Sequence, residues 1–208
     1  KKKKFGLVIE PGMKYMNSSI KKPLLKTFSD KKNFSIDNNF VFEAHSTDYQ
    51  PQKILEKLVD NNFKFLKVGP ELTYNYSKAL YFMNYIEKKF FKNSESDIKK
   101  NILLVMKQNK KYWKDYYNNQ NDKLFLNSKL NRSRYYLNFK AVRDSINILK
   151  SNINQINKYR LSNLIQKSLR KDFLIYSKKN MSNFDVIKLL FISKTLKRYF
   201  KACKFNLI

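Results

Sequence analysis

Three short apolar runs mark the first ninety residues, and each stops at a turn or leads into an amphipathic stretch. FGLVIE (Phe5–Glu10) ends at Pro11-Gly12, a pair that breaks regular structure. NFVFEAHS (Asn39–Ser46) runs through polar residues into a helical stretch from Pro51 to Asp60. There Ile54, Leu55, Leu58 and Val59 share one face, and Pro51 suits a first helical turn because its missing N–H costs nothing. FKFLKVG (Phe63–Gly69) stops at Gly69-Pro70, and a helix follows from about Leu72 to Phe90 with Leu72, Tyr76, Ala79, Leu80, Met83 and Ile86 on its buried side.

Short strands alternating with helices predict parallel βαβ units, not hairpins. Parallel strands end on one side of a sheet, so Glu10, Glu43, His45 and Lys67 are expected along one rim. Beyond residue 94 the pattern turns helical. Asp97–Tyr117 reads as an aromatic-rich helix, and further helices are expected over roughly 135–150, 153–177 and 183–203. Ser182 or Asn183 is placed to cap the last, which carries Phe184, Ile187, Leu190, Phe191 and Leu196 as an apolar stripe. The expected organisation is α/β over residues 1–93, then an α-helical extension over residues 94–208.

Composition agrees with this division. Of the 208 residues 42% are hydrophobic, enough for a core, and 15% are aromatic, more than a disordered segment carries. The formal charge of +28 is mostly lysine, and no arginine occurs before Arg132. Nucleic-acid readers concentrate arginine, whose fork contacts phosphate and guanine; here lysine travels with asparagine along the whole chain. That points to compositional drift on solvated faces, and no nucleic-acid partner is expected. Cys203 alone excludes an internal disulfide, and with His45 as the one histidine it excludes a Cys/His zinc cluster. No apolar run reaches the roughly 18–20 residues of a membrane span. A reduced, cytoplasmic setting without a membrane partner is expected. Lys1 leads almost directly into an apolar strand, which reads as a start inside a domain.

Three stretches carry a family resemblance. VFEAHSTDYQ (Val41–Gln50) and LKVGPELTYNYSKALYFMNYIE (Leu66–Glu87), one helix apart, resemble the most distinctive block of the D-tagatose-1,6-bisphosphate aldolase accessory subunits of the GatZ/KbaZ-like family. VIEPGMKY (Val8–Tyr15) resembles the strand and turn preceding that block; VMKQNKKYWKDYY (Val105–Tyr117) and RSRYY (Arg132–Tyr136) resemble the family's C-terminal extension. The resemblance implies a (β/α)8 TIM barrel whose last three βα units are present here. A complete barrel takes about 250 residues and eight strands, so the resemblance assigns this chain the C-terminal half. It also implies a non-catalytic role supporting the activity and stability of a zinc-dependent class II aldolase subunit in galactitol, N-acetylgalactosamine and tagatose breakdown. No cofactor is then expected in this chain, with the zinc in the catalytic partner. The missing N-terminal half of the barrel and a sugar phosphate are the other expected partners.

On that frame the rim residues become candidates for substrate binding. Glu43 and His45, two apart on a strand, point to the same side and read either as a ligand pair or as a histidine fixed by a carboxylate. Ser46, Thr47 and Gly69 lie in loops where barrels bind phosphate, though serine, threonine and aspartate there also serve as helix caps. Asp48 reads first as such a cap and second as a hydroxyl binder. Lys67 reads as a charge partner for phosphate, Glu43 or Glu10, or as a Schiff-base lysine if buried. Arg132 and Arg134 with Tyr135 and Tyr136 suit either an anionic partner or helix-end packing; Trp113 with Tyr112, Tyr116 and Tyr117 suits packing. The competing readings are a sugar-phosphate enzyme, aldolase or tagatose-6-phosphate kinase, and a basic nucleic-acid-binding protein. A class II aldolase needs several metal-binding histidines and a kinase a Gly-rich phosphate loop, and neither pattern is present.

Overall fold

The computed structural model describes residues 5–23, 32–35, 39–93, 95–118, 120–165 and 167–205. These fall into two compact units, one drawn from residues 1–72 and 194–208, the other from 73–193. The protein is α/β with a parallel sheet.

In the first unit, β1 (Phe5–Ile9), β4 (Phe40–Ala44) and β5 (Phe63–Leu66) form a parallel sheet in the order β1-β4-β5. Leu7 lies beside Phe42 and Ile9 beside Ala44, while a bulge after Phe42 sets Glu43 beside Phe65 and Ala44 beside Leu66. Phe42, Ala44 and Phe63 pack with Leu55 and Leu58 of helix α1 (Gln52–Asp60), and Met13, Tyr199 and Ala202 close that small core. The apolar face of α1 is the one its spacing predicts. A two-stranded antiparallel ribbon, β2 (Lys14–Tyr15) with β3 (Ile20–Lys21), follows the Pro11-Gly12 turn, where Gly12 takes a φ of +80°. The sequence pattern does not announce it, because two-residue strands carry no period.

The second unit is helical. Helix α2 (Pro70–Phe90) begins in the first unit; from residue 73 onward it buries Ala79, Leu80, Met83 and Ile86, the face its spacing predicts. They share a core with Ile98, Ile102 and Met106 of α3 (Ile98–Gln108) and Phe125 of α4 (Asp122–Asn127). Val142, Leu149 and Ile153 of α5 (Lys140–Gln155) and Leu161 of α6 (Lys158–Leu164) continue it. Phe173 of α7 (Lys167–Ser177) and Phe184, Ile187 and Leu190 of α8 (Asn183–Ala202) complete it.

Two helices expected as continuous are broken. α3 ends at Gln108, and Asn109 is extended before a 3-10 turn, Lys110–Tyr112. The Trp113 indole N–H donates to the Met106 carbonyl at 2.6 Å, serving an acceptor that the helix end leaves open. The stretch 153–177 divides into the end of α5, α6 and α7; Gln166, between the last two, lies outside the described residues. A buried carboxylate, Glu87, ties α2 to its surroundings. It accepts from the Ser96 N–H (3.0 Å) and hydroxyl (2.6 Å), from Asn84 (3.0 Å) and from Asn152 (2.7 Å).

Candidate functional site

The three parallel strands end at one rim, and their ladder continues past the strand ends. The Lys67 N–H donates to the Ala44 carbonyl at 2.9 Å, and the Thr47 N–H to the Lys67 carbonyl at 3.3 Å. This holds the loops after β4 and β5 side by side. Ser46 and Tyr49 have φ of 60° and 62°, a left-handed conformation unfavourable for both, so contacts elsewhere in the loop must hold it.

Those contacts come from buried polar groups. The Asp48 carboxylate accepts from the Gly69 (3.0 Å) and Glu71 (2.8 Å) N–H groups, the first free donors of α2. Burial pushes its carboxyl up from the ordinary value, an effect that these N–H donors partly offset. Glu71, also buried, accepts both bonds of the Arg198 guanidinium, one from the Thr195 hydroxyl at 3.1 Å and one from the Tyr49 N–H. The Tyr199 hydroxyl donates to the Thr47 carbonyl at 2.8 Å and lies 2.9 Å from the Thr47 hydroxyl, which donates to the Lys67 carbonyl. Gln50 donates to the Lys21 carbonyl at 3.0 Å and so fixes the β2–β3 ribbon beside the loop.

Outside this buried lattice lies a small pocket of about 160 Å3, lined by Tyr15, His45, Ser46, Asp48, Lys67, Val68, Gly69 and Pro70. His45 and Glu43 are half-buried and joined, Nε2 to Oε1, at 2.9 Å. The sequence candidates therefore separate. His45, Ser46, Asp48, Lys67 and Gly69 share the pocket, and Glu43 reaches it through His45. Thr47 is buried and its hydroxyl is engaged within the fold. Glu10 is exposed and is not among the pocket residues. The Gly69 N–H, a phosphate donor in the sequence reading, is taken by Asp48. Lys67 is exposed.

Sequence reasoning missed Tyr15, Glu71, Thr195, Arg198 and Tyr199. Glu71 had a signal, an acid in the first helical turn after Gly-Pro. The last three lie more than 120 positions from their partners, and no local pattern marks them.

Set against known proteins, the chain matches the family described as D-tagatose-1,6-bisphosphate aldolase subunit GatZ/KbaZ-like over residues 2–204. It is 31% identical over 152 residues to the D-tagatose-1,6-bisphosphate aldolase subunit GatZ of Escherichia coli O1:K1 / APEC, covering 71% of this chain and 36% of that protein. The Salmonella dublin subunit GatZ is 29% identical over 155 residues, covering 73% and 37%. The chain thus spans little more than a third of these relatives' length. Among solved structures, that of a probable tagatose 6 phosphate kinase from Sinorhizobium meliloti 1021 superposes with a TM-score of 0.82 at 26% identity, over 96% of this chain and 52% of that one. On that match over residues 2–204, the chain belongs to the GatZ/KbaZ-like family of D-tagatose-1,6-bisphosphate aldolase subunits.

Proposed function

We propose that this chain acts as a non-catalytic, cytoplasmic accessory subunit of a class II D-tagatose-1,6-bisphosphate aldolase in galactitol, N-acetylgalactosamine and tagatose catabolism, as the C-terminal part of a (β/α)8 barrel. The observation that carries this reading is the family match over residues 2–204. The parallel order β1-β4-β5, with α1 and α2 following β4 and β5, is what the last units of such a barrel require. The remaining strands would come from the rest of a barrel, in keeping with a solved relative about twice as long.

The rim pocket is the proposed sugar-phosphate contact. At about 160 Å3 it is smaller than the roughly 300 Å3 at which pockets for whole small molecules begin. It suits one phosphoryl end, met by the Lys67 ammonium, the Ser46 hydroxyl and the His45 ring oriented by Glu43. Asp48 faces the same space but spends one oxygen on the α2 N-terminus, so its role is to shape the loop.

A catalytic zinc takes three protein ligands, and Glu43 with His45 supplies two. Among the described residues no group of three or more His, Cys, Asp or Glu side chains is placed to hold a metal. In the proposed assembly the catalytic partner would hold the zinc of the reaction. No helix among the described residues is long and apolar enough to cross a membrane.

Co-expression with a catalytic class II tagatose-bisphosphate aldolase subunit tests the proposal. The chain should raise that subunit's specific activity or lengthen its half-life at a fixed temperature. Equal activity and equal decay with and without the chain would remove the accessory reading.

A further inference from the structure

The 3-10 turn Arg132–Tyr136 and the segment Lys110–Tyr117 meet in the second unit as a two-sided cluster. Its inner side is packing: Trp113, Tyr117 and Tyr136 are buried, with Trp113 and Tyr117 against Phe125. Its outer side is different. Tyr116 and Tyr135 are 48% and 39% exposed, and the Arg132 guanidinium stands 3.7 Å and 4.5 Å from their ring centroids. Arg132 Nε donates to the Tyr112 carbonyl at 2.5 Å, so the group is held at its inner edge and stacked on its faces. Arg134 lies 4.4 Å from the Tyr135 ring and donates to the Leu130 and Asn131 carbonyls and the Tyr135 hydroxyl. Tyr112 and Tyr135 stack with centroids 5.3 Å apart.

Two observations separate this surface from the scattered lysines. First, the cations are arginines immobilised by rings and carbonyls, and among the described residues neither is ion-paired with a carboxylate. The exposed Lys110, Lys111 and Lys114 add charge around them, against Asp115. Second, the faces of the Tyr135 ring are taken by Tyr112 and the two guanidinium groups, and one face of Tyr116 by Arg132. What remains is the second face of Tyr116 and the terminal N–H donors of Arg132, which is bonded through Nε, whereas Arg134 spends both terminal nitrogens on carbonyls and the Tyr135 hydroxyl. A run of bases needs successive open ring faces to stack on, whereas a carboxylate needs one pair of N–H donors in a plane. Rigid arginine and tyrosine are also the side chains that concentrate binding energy at protein interfaces, since little motion is lost on docking.

We infer that the Arg132–Arg134–Tyr116–Tyr135 face docks a carboxylate-bearing surface of a partner protein, the catalytic subunit of the proposed assembly. This rests on the accessory reading above and adds the place of contact.

The test is titration calorimetry of the full chain against the purified catalytic subunit, with Arg132→Lys, Tyr116→Ser and, as a distant charge control, Lys171→Ser. Arg132→Lys keeps the charge and loses the fork; Tyr116→Ser removes a half-exposed ring. Each should raise Kd by about tenfold or more, while Lys171→Ser stays within about twofold. Unchanged circular dichroism and melting temperature establish that the fold persists, and if Arg132→Lys lowers the melting temperature, Tyr116→Ser decides. Wild-type binding with both variants within about twofold of it overturns the inference and leaves the accessory role standing. Absence of wild-type binding overturns the accessory role, and the inference with it. Arg132-dependent binding of a fluorescent thymidine oligonucleotide, with subunit binding unaffected by either variant, overturns the inference in favour of a nucleic-acid face.

Discussion

Asp48 places its carboxylate at the N-terminus of α2, where free N–H groups and the helix dipole attract an anion. The position that a phosphate could take is thus filled from within the chain. Burial, the largest influence, raises the carboxyl above the ordinary 3.8. A carboxyl raised by folding favours the fold when protonated. Its contribution is full below about 3.8 and is lost as pH rises through the raised value. Asp48→Asn keeps an oxygen acceptor for both N–H groups and removes the charge. Urea unfolding should find this variant at least as stable as wild type at neutral pH, with the difference moving in favour of wild type as acid protonates Asp48. Asp48→Ala should lose about 1–2 kcal/mol through the unmet donors. An Asp48→Asn deficit at neutral pH that shrinks under acid would contradict this assignment.

Elements were legible where punctuation and period agreed. Pro11-Gly12 and Gly69-Pro70 bound the apolar runs that became β1 and β5, and the i, i+3 and i, i+4 spacing of Ala79, Leu80, Met83 and Ile86 fixed the buried side of α2. The break after Gln108 was not legible, because the residues on both sides suit a helix and the decisive contact is Trp113 reaching back to Met106. The rim divides in the same way. The two-residue step from Glu43 to His45 set them on one side, whereas Thr195, Arg198 and Tyr199 of α8 reach the loop by folding alone. The start of α8 was legible and is testable. The Ser182 hydroxyl donates to the Asp185 carboxylate at 2.7 Å and lies 3.1 Å from the Asp185 N–H, while Asn183 donates to the Ile153 and Ile156 carbonyls at the end of α5. Ser182→Ala should cost about 1 kcal/mol in urea unfolding, with Ser182→Asp retaining most of the stability. Equal midpoints for alanine and wild type would leave the helix start to Asn183 and to Asn154, whose side chain accepts from the Phe184 N–H at 3.0 Å.

At the scale of the molecule, the two faces of the sheet are unlike. Phe42, Ala44 and Phe63 meet the small core, but Val8, Glu43 and Phe65 form a row across the opposite face, with Val8 53% and Phe65 55% exposed. Along β1, which pairs only with β4 among the described residues, Phe5 and Leu7 are also exposed. In the proposed barrel this face is the interior and the edge of β1 has a neighbour, so the same residues would become core. Exposed apolar side chains beside an open strand edge promote self-association. Phe65→Lys should therefore reduce concentration-dependent light scattering of the chain and its binding of a hydrophobic dye, while its own stability changes by no more than about 0.5 kcal/mol, as for a surface site. Joined to the N-terminal strands of a longer relative, Phe65→Lys should cost several times more, because a lysine charge would then be taken out of water beside a Glu43 carboxylate that His45 already engages. A barrel interior is recognised by that contrast between the two settings. A large loss of stability in the chain alone, or equal small losses in both, would count against the barrel.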